Sequence, residues 1–583
     1  RVHEQPHTPF SPEEVQRGYA LASQPVPPSD VVVEVPLESR AEGGRIVVGG
    51  ETDAGRGPDD LASQETKFPY NPVTRKLYLE LPPPSLDDNL PDLDRIYREI
   101  RRVTDAPIVQ TGLKYIWQIP EILRKSDWKV TATLGERGGT TEVIQIEPGD
   151  TSSRNLGVAI DVGTTTLAVH LVDLTTGKTI ATEAAYNPQI QYGEDVITRL
   201  IFAGKENGQR ILHDAIVETL NSLIDSLVQQ SGSDLNDITA VACAGNTTME
   251  HFLIDLNPNY IRLEPYVPAA CQVPPVRAAE VGIDVNPRGL LYCMPCVSSY
   301  VGGDISAGVL ASGICFAEKP SMLIDVGTNG EIVVGNKEWL VCCSASAGPA
   351  FEGGSVKYGM RAGRGAIERV EIADGGGSVK LVTVGDDKPL GICGSGLIDA
   401  IAELLGAGVI DQGGNFVKGT GGNRLRGTDS GLEFVLAWKD ESAVADDICL
   451  TQPDIDNLVR SKAAVYAGTA VLLGSLEMSY DQLDRIFIAG GFGHYLDIER
   501  AIAIGLLPPV DPKRVRFIGN SSVNGARMTM LSVEAMNTVL DTARRMTYIE
   551  LSTDNRFMDE FVKASFLPHT DVEMFSNALK RNR

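Results

Sequence analysis

No apolar run in this 583-residue chain approaches the ~20 residues that a membrane-spanning helix needs, and no leader of charged then apolar residues opens it. Basic residues are in deficit: 52 Lys and Arg stand against 77 Asp and Glu, for a formal net charge of −25 and a pI near 4.8. A field of that sign repels nucleic acid and anionic membrane, which leaves proteins and small molecules as partners. Cysteine is sparse and odd in number, nine in all from Cys243 onward, and Cys293-x-x-Cys296 has no second Cys-x-x-Cys to pair with. This argues against a disulfide framework or a paired-ligand metal site and predicts buried thiols in a reducing cytoplasm. The chain opens on Arg1 rather than Met, so further sequence upstream is expected. What is left is an ordinary globular composition, 43% hydrophobic, with room for about three or four domains.

Within that composition one short pattern occurs twice. The apolar stretch Leu156 to Val172 is interrupted by Asp161-Val-Gly-Thr-Thr-Thr166, and Ser321 to Val334 by Asp325-Val-Gly-Thr-Asn-Gly330. Each predicts strand, tight turn, strand. A single Asp-x-Gly-Thr is more often an ordinary hairpin turn; two copies in matching apolar settings point to phosphate loops. Gly163 and Gly327 let backbone amides approach a ligand with no Cβ in the way, and Thr164, Thr165 and Thr328 add hydroxyl donors. Thr166, Asn329 and Gly330 complete the two turns. An Asp ending each first strand would repel a phosphate, so Asp161 and Asp325 are candidates to hold a Mg²⁺ ion through its water shell.

Residues 37–75 are rich in Gly, Pro and charge without periodicity and read as a linker. Over 76–152, alternating Leu77 to Leu81, helically spaced Leu93, Ile96, Tyr97 and Ile100, and the runs Val130 to Leu134 and Val143 to Ile146 predict a small α/β domain without recognisable chemistry. Strands and helices then alternate to the end. Gly245-Asn-Thr-Thr-Met249 follows an apolar strand, so Asn246 is a ligand candidate at a strand's carboxyl end. Gly394, Ser395 and Gly396 precede a helix with Leu397, Ile398, Ile401 and Leu405 on one face, a weak anion-site signal. The strand Arg485 to Ala489 ends in Gly490, Gly491, Phe492 and Gly493, where backbone can lie flat against adenine, and Asp497 predicts the N-cap of the next helix.

Taken in order, the two hairpins and the late Gly-Gly-x-Gly strand resemble the superfamily of acetate and sugar kinases, heat-shock chaperones and actin (ASKHA), whose members clamp ATP between two ribonuclease-H-like lobes. The resemblance narrows. Asn187-Pro-Gln with Tyr192-Gly-Glu-Asp-Val, Gly245-Asn-Thr-Thr-Met-Glu-His251, Val301-Gly-Gly-Asp304, Asp325 to Glu331, Ala347-Gly-Pro-Ala-Phe-Glu-Gly353 and Phe566-Leu-Pro-His569 together resemble the ATP-dependent reductive activators of corrinoid proteins. The likeness spans roughly residues 76–575. It implies an α/β, actin-like ATPase over 153–583, with lobe 1 at about 153–318 and lobe 2 at about 319–583. Ahead of it would come the small domain, the linker and, over 1–36, the remnant of a ferredoxin-like domain.

It also implies a homodimeric, cytoplasmic enzyme that uses ATP and Mg²⁺ to return inactive cob(II)alamin to cob(I)alamin. The partner would be a corrinoid iron-sulfur protein of the acetyl-CoA pathway or another corrinoid methyl carrier, with no role for nucleic acid or membrane. Activators of this kind carry a plant-type [2Fe-2S] domain with a potential of roughly −400 mV. Here the pattern departs: no Cys-x4-Cys-x2-Cys run is present, and Ser23 stands where a cluster cysteine is expected. In roles, Asp161 and Asp325 would hold the Mg²⁺ shell, and Asp304 or Glu331 would orient the attacking water, with a helix N-cap as the structural alternative for Asp304. A small-molecule kinase of the same fold, a chaperone-like ATPase and a hydroxyacyl-CoA dehydratase activator remain alternatives; the last needs cluster cysteines that this chain does not offer.

Overall fold

The computed structural model describes residues 67–104, 106, 108–429, 431–490 and 496–575. The expected ferredoxin-like remnant, most of the 37–75 linker and Gly491, Phe492 and Gly493 lie outside the described residues.

The alternation around Leu79 forms β1 (Thr74–Glu80), which joins β2 (Val109–Thr111), β3 (Lys129–Arg137) and β4 (Thr140–Pro148) in a sheet of order β1-β3-β4-β2. Helix α1 (Asp92–Val103) lays Ile96 and Ile100 on that sheet, where they meet Leu79, Val130, Leu134 and Val143 in a separate core. The start of β1 overlaps the expected linker because Asn71 and Val73 donate backbone hydrogen bonds to the carbonyls of Leu531 and Met530, at 3.1 and 3.0 Å. A pairing with residues so far along the chain leaves no local trace in sequence.

Two six-stranded sheets follow, built to one plan. In the first, β5 (Leu156–Val162), β6 (Thr166–Asp173) and β7 (Thr179–Tyr186) form an antiparallel meander, extended in parallel from β5 by β8 (Ile238–Gly245) and β10 (Leu290–Cys293), with the short β9 (Val276–Arg277) at the edge. In the second, β11 (Ser321–Val326), β12 (Gly330–Gly335) and β13 (Leu340–Ala345) form the meander. Two three-stranded sheets are inserted next, β14 (Ala366–Ala373), β15 (Ser378–Thr383) and β16 (Gly391–Ile392), then β17 (Leu425–Thr428), β18 (Gly431–Ala437) and β19 (Ile448–Thr451). The second large sheet then resumes with β20 (Ile486–Ala489) and β21 (Val515–Phe517), parallel to β11, and β22 (Met546–Tyr548) beside β13. This duplicated meander with parallel extension is the ribonuclease-H-like pair of lobes expected from the sequence.

Helices fill the layers between and outside the sheets: α2 (Gly208–Ser231), α3 (Thr247–Leu253), α4 (Gly303–Ser312), α5 (Gly394–Gly406), α6 (Gln452–Ser475) and α7 (Ser521–Leu531). The amphipathic face of α2, Ile216, Leu220, Leu223 and Leu227, covers the first sheet. Helix α7 follows β21 of the second lobe yet packs on β5 and β8 of the first and on α4. Gly525 permits that crossing: a Cβ there would stand 2.3 Å from the carbonyl oxygen of Ala307. Apolar side chains of both sheets meet in this layer, Ala159 and Ala242 from one, Leu323 and Phe487 from the other, with Ile305 and Met530 between them. One continuous core thus joins the two sheets.

Candidate functional site

Register sets the symmetry of the site. Asp161 on β5 lies beside Ala244 of β8, the residue before Gly245, and Asp325 on β11 lies beside Ala489 of β20, the residue before Gly490. Each lobe therefore presents an aspartate at a strand end next to a glycine that ends the neighbouring parallel strand, where ligands bind in α/β sheets. Gly490 has φ 110°, and a Cβ there would stand 2.5 Å from the carbonyl oxygen of Val326, so only glycine fits.

The first hairpin turn is held by its neighbours. Asn187 donates its side-chain amide to the carbonyl of Gly163 at 2.8 Å, and its backbone N–H to the carbonyl of Thr165 at 2.9 Å. A Cβ on Gly163 would fall 2.5 Å from the carbonyl oxygen of Thr166. The second turn closes through Gly327 N–H to Asn329 O at 2.8 Å, and Thr328 O accepts from Gly348 N–H at 2.9 Å. Gly330 begins β12, where a Cβ would crowd Val465. Across the cleft the hydroxyls of Thr165 and Thr328 stand 3.4 Å apart.

Two asparagines do the same work from opposite lobes. Asn246 and Asn520 each cap a helix, α3 and α7, through Oδ1, accepting from Met249 N–H and Val523 N–H at 3.0 Å. Each then spends its free amide on the first phosphate hairpin: Asn246 donates to Thr164 Oγ1 at 2.8 Å, and Asn520 to Asp161 Oδ2 at 2.7 Å. Ser522 completes the grip, donating to Asp161 Oδ1 at 2.9 Å. Asn520 and Ser522 were not singled out from sequence, although Gly519-Asn-Ser-Ser522 after a strand repeats the Gly245-Asn-Thr-Thr248 pattern.

Charge is concentrated here. Burial is the largest cause of the raised pKa of Asp161, partly offset by Asn520 and Ser522. Burial, then the charges of Asp325 and Asp161, pushes Asp304 up to about 8; burial, then Asp161 and Glu352, pushes Asp325 up to about 7. Asp304 is not the N-cap of α4, which is Gly302; it sits in the first turn and accepts from Ile305 N–H at 2.8 Å. Glu331 is the cross-strand partner of Asp325, accepts from Ser344 Oγ at 3.1 Å, and is held well above the usual carboxylate range by burial and then by Asp304 and Asp325. Mutually repelling oxygens around one cleft are a donor set suited to a hard divalent cation. Among the described residues no three His, Cys, Asp or Glu side chains converge tightly enough to ligate one ion directly.

Other predicted positions fare differently. Gly394, Ser395 and Gly396 form the first turn of α5 and are buried; Cβ atoms on the two glycines would stand 2.0 and 2.1 Å from the carbonyl oxygens of Phe351 and Ile367. Close packing accounts for both glycines, and among the described residues no hydrogen bond joins the turn to either hairpin. Asp497 caps its helix by accepting from Arg500 N–H at 3.1 Å. The cysteines are all free, eight buried and Cys271 partly exposed, and no set of them fits a [2Fe-2S] cluster. Two residues that sequence reasoning did not isolate line the cleft: Glu352, and Arg361, whose guanidinium lies 4.3 Å from the centre of the Tyr186 ring and donates to Thr165 O at 3.4 Å.

Comparison with known proteins agrees with this geometry. Residues 63–153 match the RACo linker region, 156–316 the RACo middle region, and 319–579 the C-terminal domain of RACo, the ASKHA domain. The corrinoid activation enzyme RamQ of Eubacterium limosum is 33% identical over 515 residues, covering 86% of this chain and 84% of its own length. The [Co(II) methylated amine-specific corrinoid protein] reductase of Methanosarcina barkeri is 25% identical over 437 residues, covering 69% and 75%. Among solved structures, a reductive activator for corrinoid, iron-sulfur protein superposes with a TM-score of 0.84 at 45% identity, covering 97% of this chain and 90% of that one. With its paired hairpins, duplicated sheets, three matching family regions and 86% of its length aligned to a 33%-identical relative, this chain belongs to the RACo family of corrinoid-protein activators.

Proposed function

We propose that this protein binds ATP between its two lobes and uses its hydrolysis to drive reduction of a corrinoid protein from the cob(II)alamin to the cob(I)alamin state. The observation that carries the nucleotide half is the facing pair of hairpins, with Thr165 and Thr328 3.4 Å apart and Asp161, Asp304 and Asp325 sharing one charged cleft. The corrinoid half rests on relatives whose names state corrinoid activation and Co(II) corrinoid reduction. A homodimer in the cytoplasm acting on a corrinoid iron-sulfur protein is part of the same reading.

In this reading Gly163, Thr164, Thr165, Gly327 and Thr328 offer amides and hydroxyls to the phosphates, and Gly490 opens the turn toward adenosine. Asp161, oriented by Asn520 and Ser522, and Asp325 are the residues that would hold a Mg²⁺ ion, which would supply charge neutralisation at the phosphates. Burial, then the charges of Asp325 and Asp161, hold the pKa of the Asp304 carboxyl up at about 8. A cation nearby favours its ionised form, which can then orient the attacking water and accept its proton. Glu331, buried and bonded to Ser344, supports Asp325 from the adjacent strand.

ATP can assist reduction only through differential affinity, because a ligand shifts an equilibrium only by binding one state better. Closure of the lobes around nucleotide is the two-state element, and the corrinoid partner must be held more tightly before reduction than after it. The nine cysteines do not group as ligands of an iron-sulfur cluster. The test is a titration of Co(II), Co(I) and methylated partner into the protein with a non-hydrolysable nucleotide. Tighter binding of Co(II) supports the mechanism, equal affinity for all three states eliminates it, and affinity for none restores the kinase reading.

A further inference from the structure

The residue placed most centrally between the hairpins is Glu352. Its Oε2 accepts from Thr165 Oγ1 of the first hairpin at 2.8 Å and from Thr328 Oγ1 of the second at 3.3 Å. The turn that carries it, Pro349–Glu352, is fixed at both ends. At its start, Gly348 donates to Thr328 O; at its end, Gly353 has φ 80° and no room for a Cβ, which would stand 2.6 Å from Met360 backbone. A carboxylate is thus delivered by a rigid turn to the two hydroxyls best placed to receive a phosphate oxygen.

We propose that Glu352 is an internal anion that takes the terminal-phosphate position between the two hairpins, bridges the two lobes there, and must be displaced by the incoming nucleoside triphosphate. The inference rests on the nucleotide reading above. Thr165 belongs to the lobe opposite Gly490, so along a nucleotide lying between them the outermost phosphate is the one that reaches Thr165 and Thr328 together. A diphosphate stops short and leaves Glu352 in place. Glu352 is therefore a specificity and positioning residue: it sets the preference for triphosphate over diphosphate and makes the lobe contact sense the terminal phosphate. The swing has a destination. Arg361, which touches Thr165 O, and Arg199, fully buried with its Nη2 lacking a hydrogen-bond partner among the described residues, both feel the Glu352 charge.

Removing the charge removes the competitor. In calorimetric titrations with Mg²⁺ present, Glu352→Gln and Glu352→Ala are expected to bind a non-hydrolysable ATP analogue about tenfold more tightly than the parent, while ADP affinity stays within about twofold. Thermal unfolding supplies the second reading: Glu352→Ala should lower the melting temperature of the empty protein and leave that of the analogue-saturated protein close to the parent's. Weaker analogue binding in Glu352→Gln would make Glu352 a ligand of the metal shell or of the reacting water and overturn the proposal, as would an unchanged ratio of triphosphate to diphosphate affinity. If the parent binds no nucleotide, the nucleotide site itself is refuted; if the parent binds and the variants do not tighten, only the role of Glu352 fails.

Discussion

Asn520 offers a sharp test of how the first hairpin is held, because its two halves act on different elements and can be changed separately. Asn520→Ala removes the cap of α7, worth about 1 kcal/mol, and a hydrogen bond to a carboxylate, worth about 1.5–3 kcal/mol. The expected loss is therefore about 2.5–4 kcal/mol, if the two contributions add. Asn520→Asp keeps the cap, since Asp and Asn cap equally well. It also turns the donor 2.7 Å from Asp161 Oδ2 into a second carboxylate. Two like charges at about 4 Å repel by up to about 4 kcal/mol at an effective dielectric of 20, so one of them must take up a proton or turn away. Asn520→Asp is thus expected to be at least as damaging as Asn520→Ala despite its intact cap, and to weaken Mg-nucleotide binding in calorimetry. Each kcal/mol corresponds to about 2–4 °C of melting temperature in domains of about 150–250 residues and to less in a unit as large as this one. If Asn520→Asp melts with the parent and Asn520→Ala loses only the value of a cap, Asn520 merely caps α7 and the Asp161 contact does no work.

Further outcomes follow from the same residues. Asp325→Ala should abolish ATP hydrolysis while circular dichroism and melting show an intact fold, since several kcal/mol of transition-state stabilisation depend on the metal shell; retained turnover would remove Asp325 from the mechanism. The raised pKa values of Asp304 and Asp325, about 8 and about 7, mean that the empty protein gains stability from their neutral forms below the ordinary carboxylate pKa and loses it as pH rises through about 7 to 8. Metal-free melting temperatures should fall from about pH 4, the ordinary carboxylate range, to about pH 8 and level off above it, and Asp304→Asn should flatten the fall; a flat parent profile would contradict the clustered charge. The chain as given should bind no iron-sulfur cluster and stay silent in electron paramagnetic resonance after reduction; an iron-to-protein ratio of about two would send the search to Cys293, Cys296, Cys342, Cys343 and Cys393.

What was legible in the sequence was what neighbouring residues specify. The hairpins around Gly163 and Gly327 carry apolar flanks, a turn glycine and polar tips within a few positions, and β5, β6, β11 and β12 follow from them. The face of α2 and the cap at Asp497 are likewise local. Contacts made by the chain's return were not legible. Asn520 meets Asp161 from 359 residues away, and only the repeated Gly-Asn pattern at 245 and 519 hinted at a shared task. Glu352 lay within the Ala347 to Gly353 motif that carried part of the resemblance, but nothing local gave that one acidic residue a role; its meaning arises when two lobes bring their threonines together. At Gly394 and Gly396 a glycine-rich helix start suggested an anion site, and the close backbone of Phe351 and Ile367 gives both glycines a packing reason that the sequence did not show. The strand β2 and the helix Ile119–Lys125 were missed because each is too short for its periodicity to stand out.

The most direct measurement of the central claim is ATP turnover by the purified protein alone, with a corrinoid partner held as Co(II), and with the same partner held as Co(I) or methylated. Turnover is expected to rise with the Co(II) form and to stay at its basal level with the other two. The same basal level in all four conditions, or stimulation that ignores the state of the cobalt, would contradict a reductive activator.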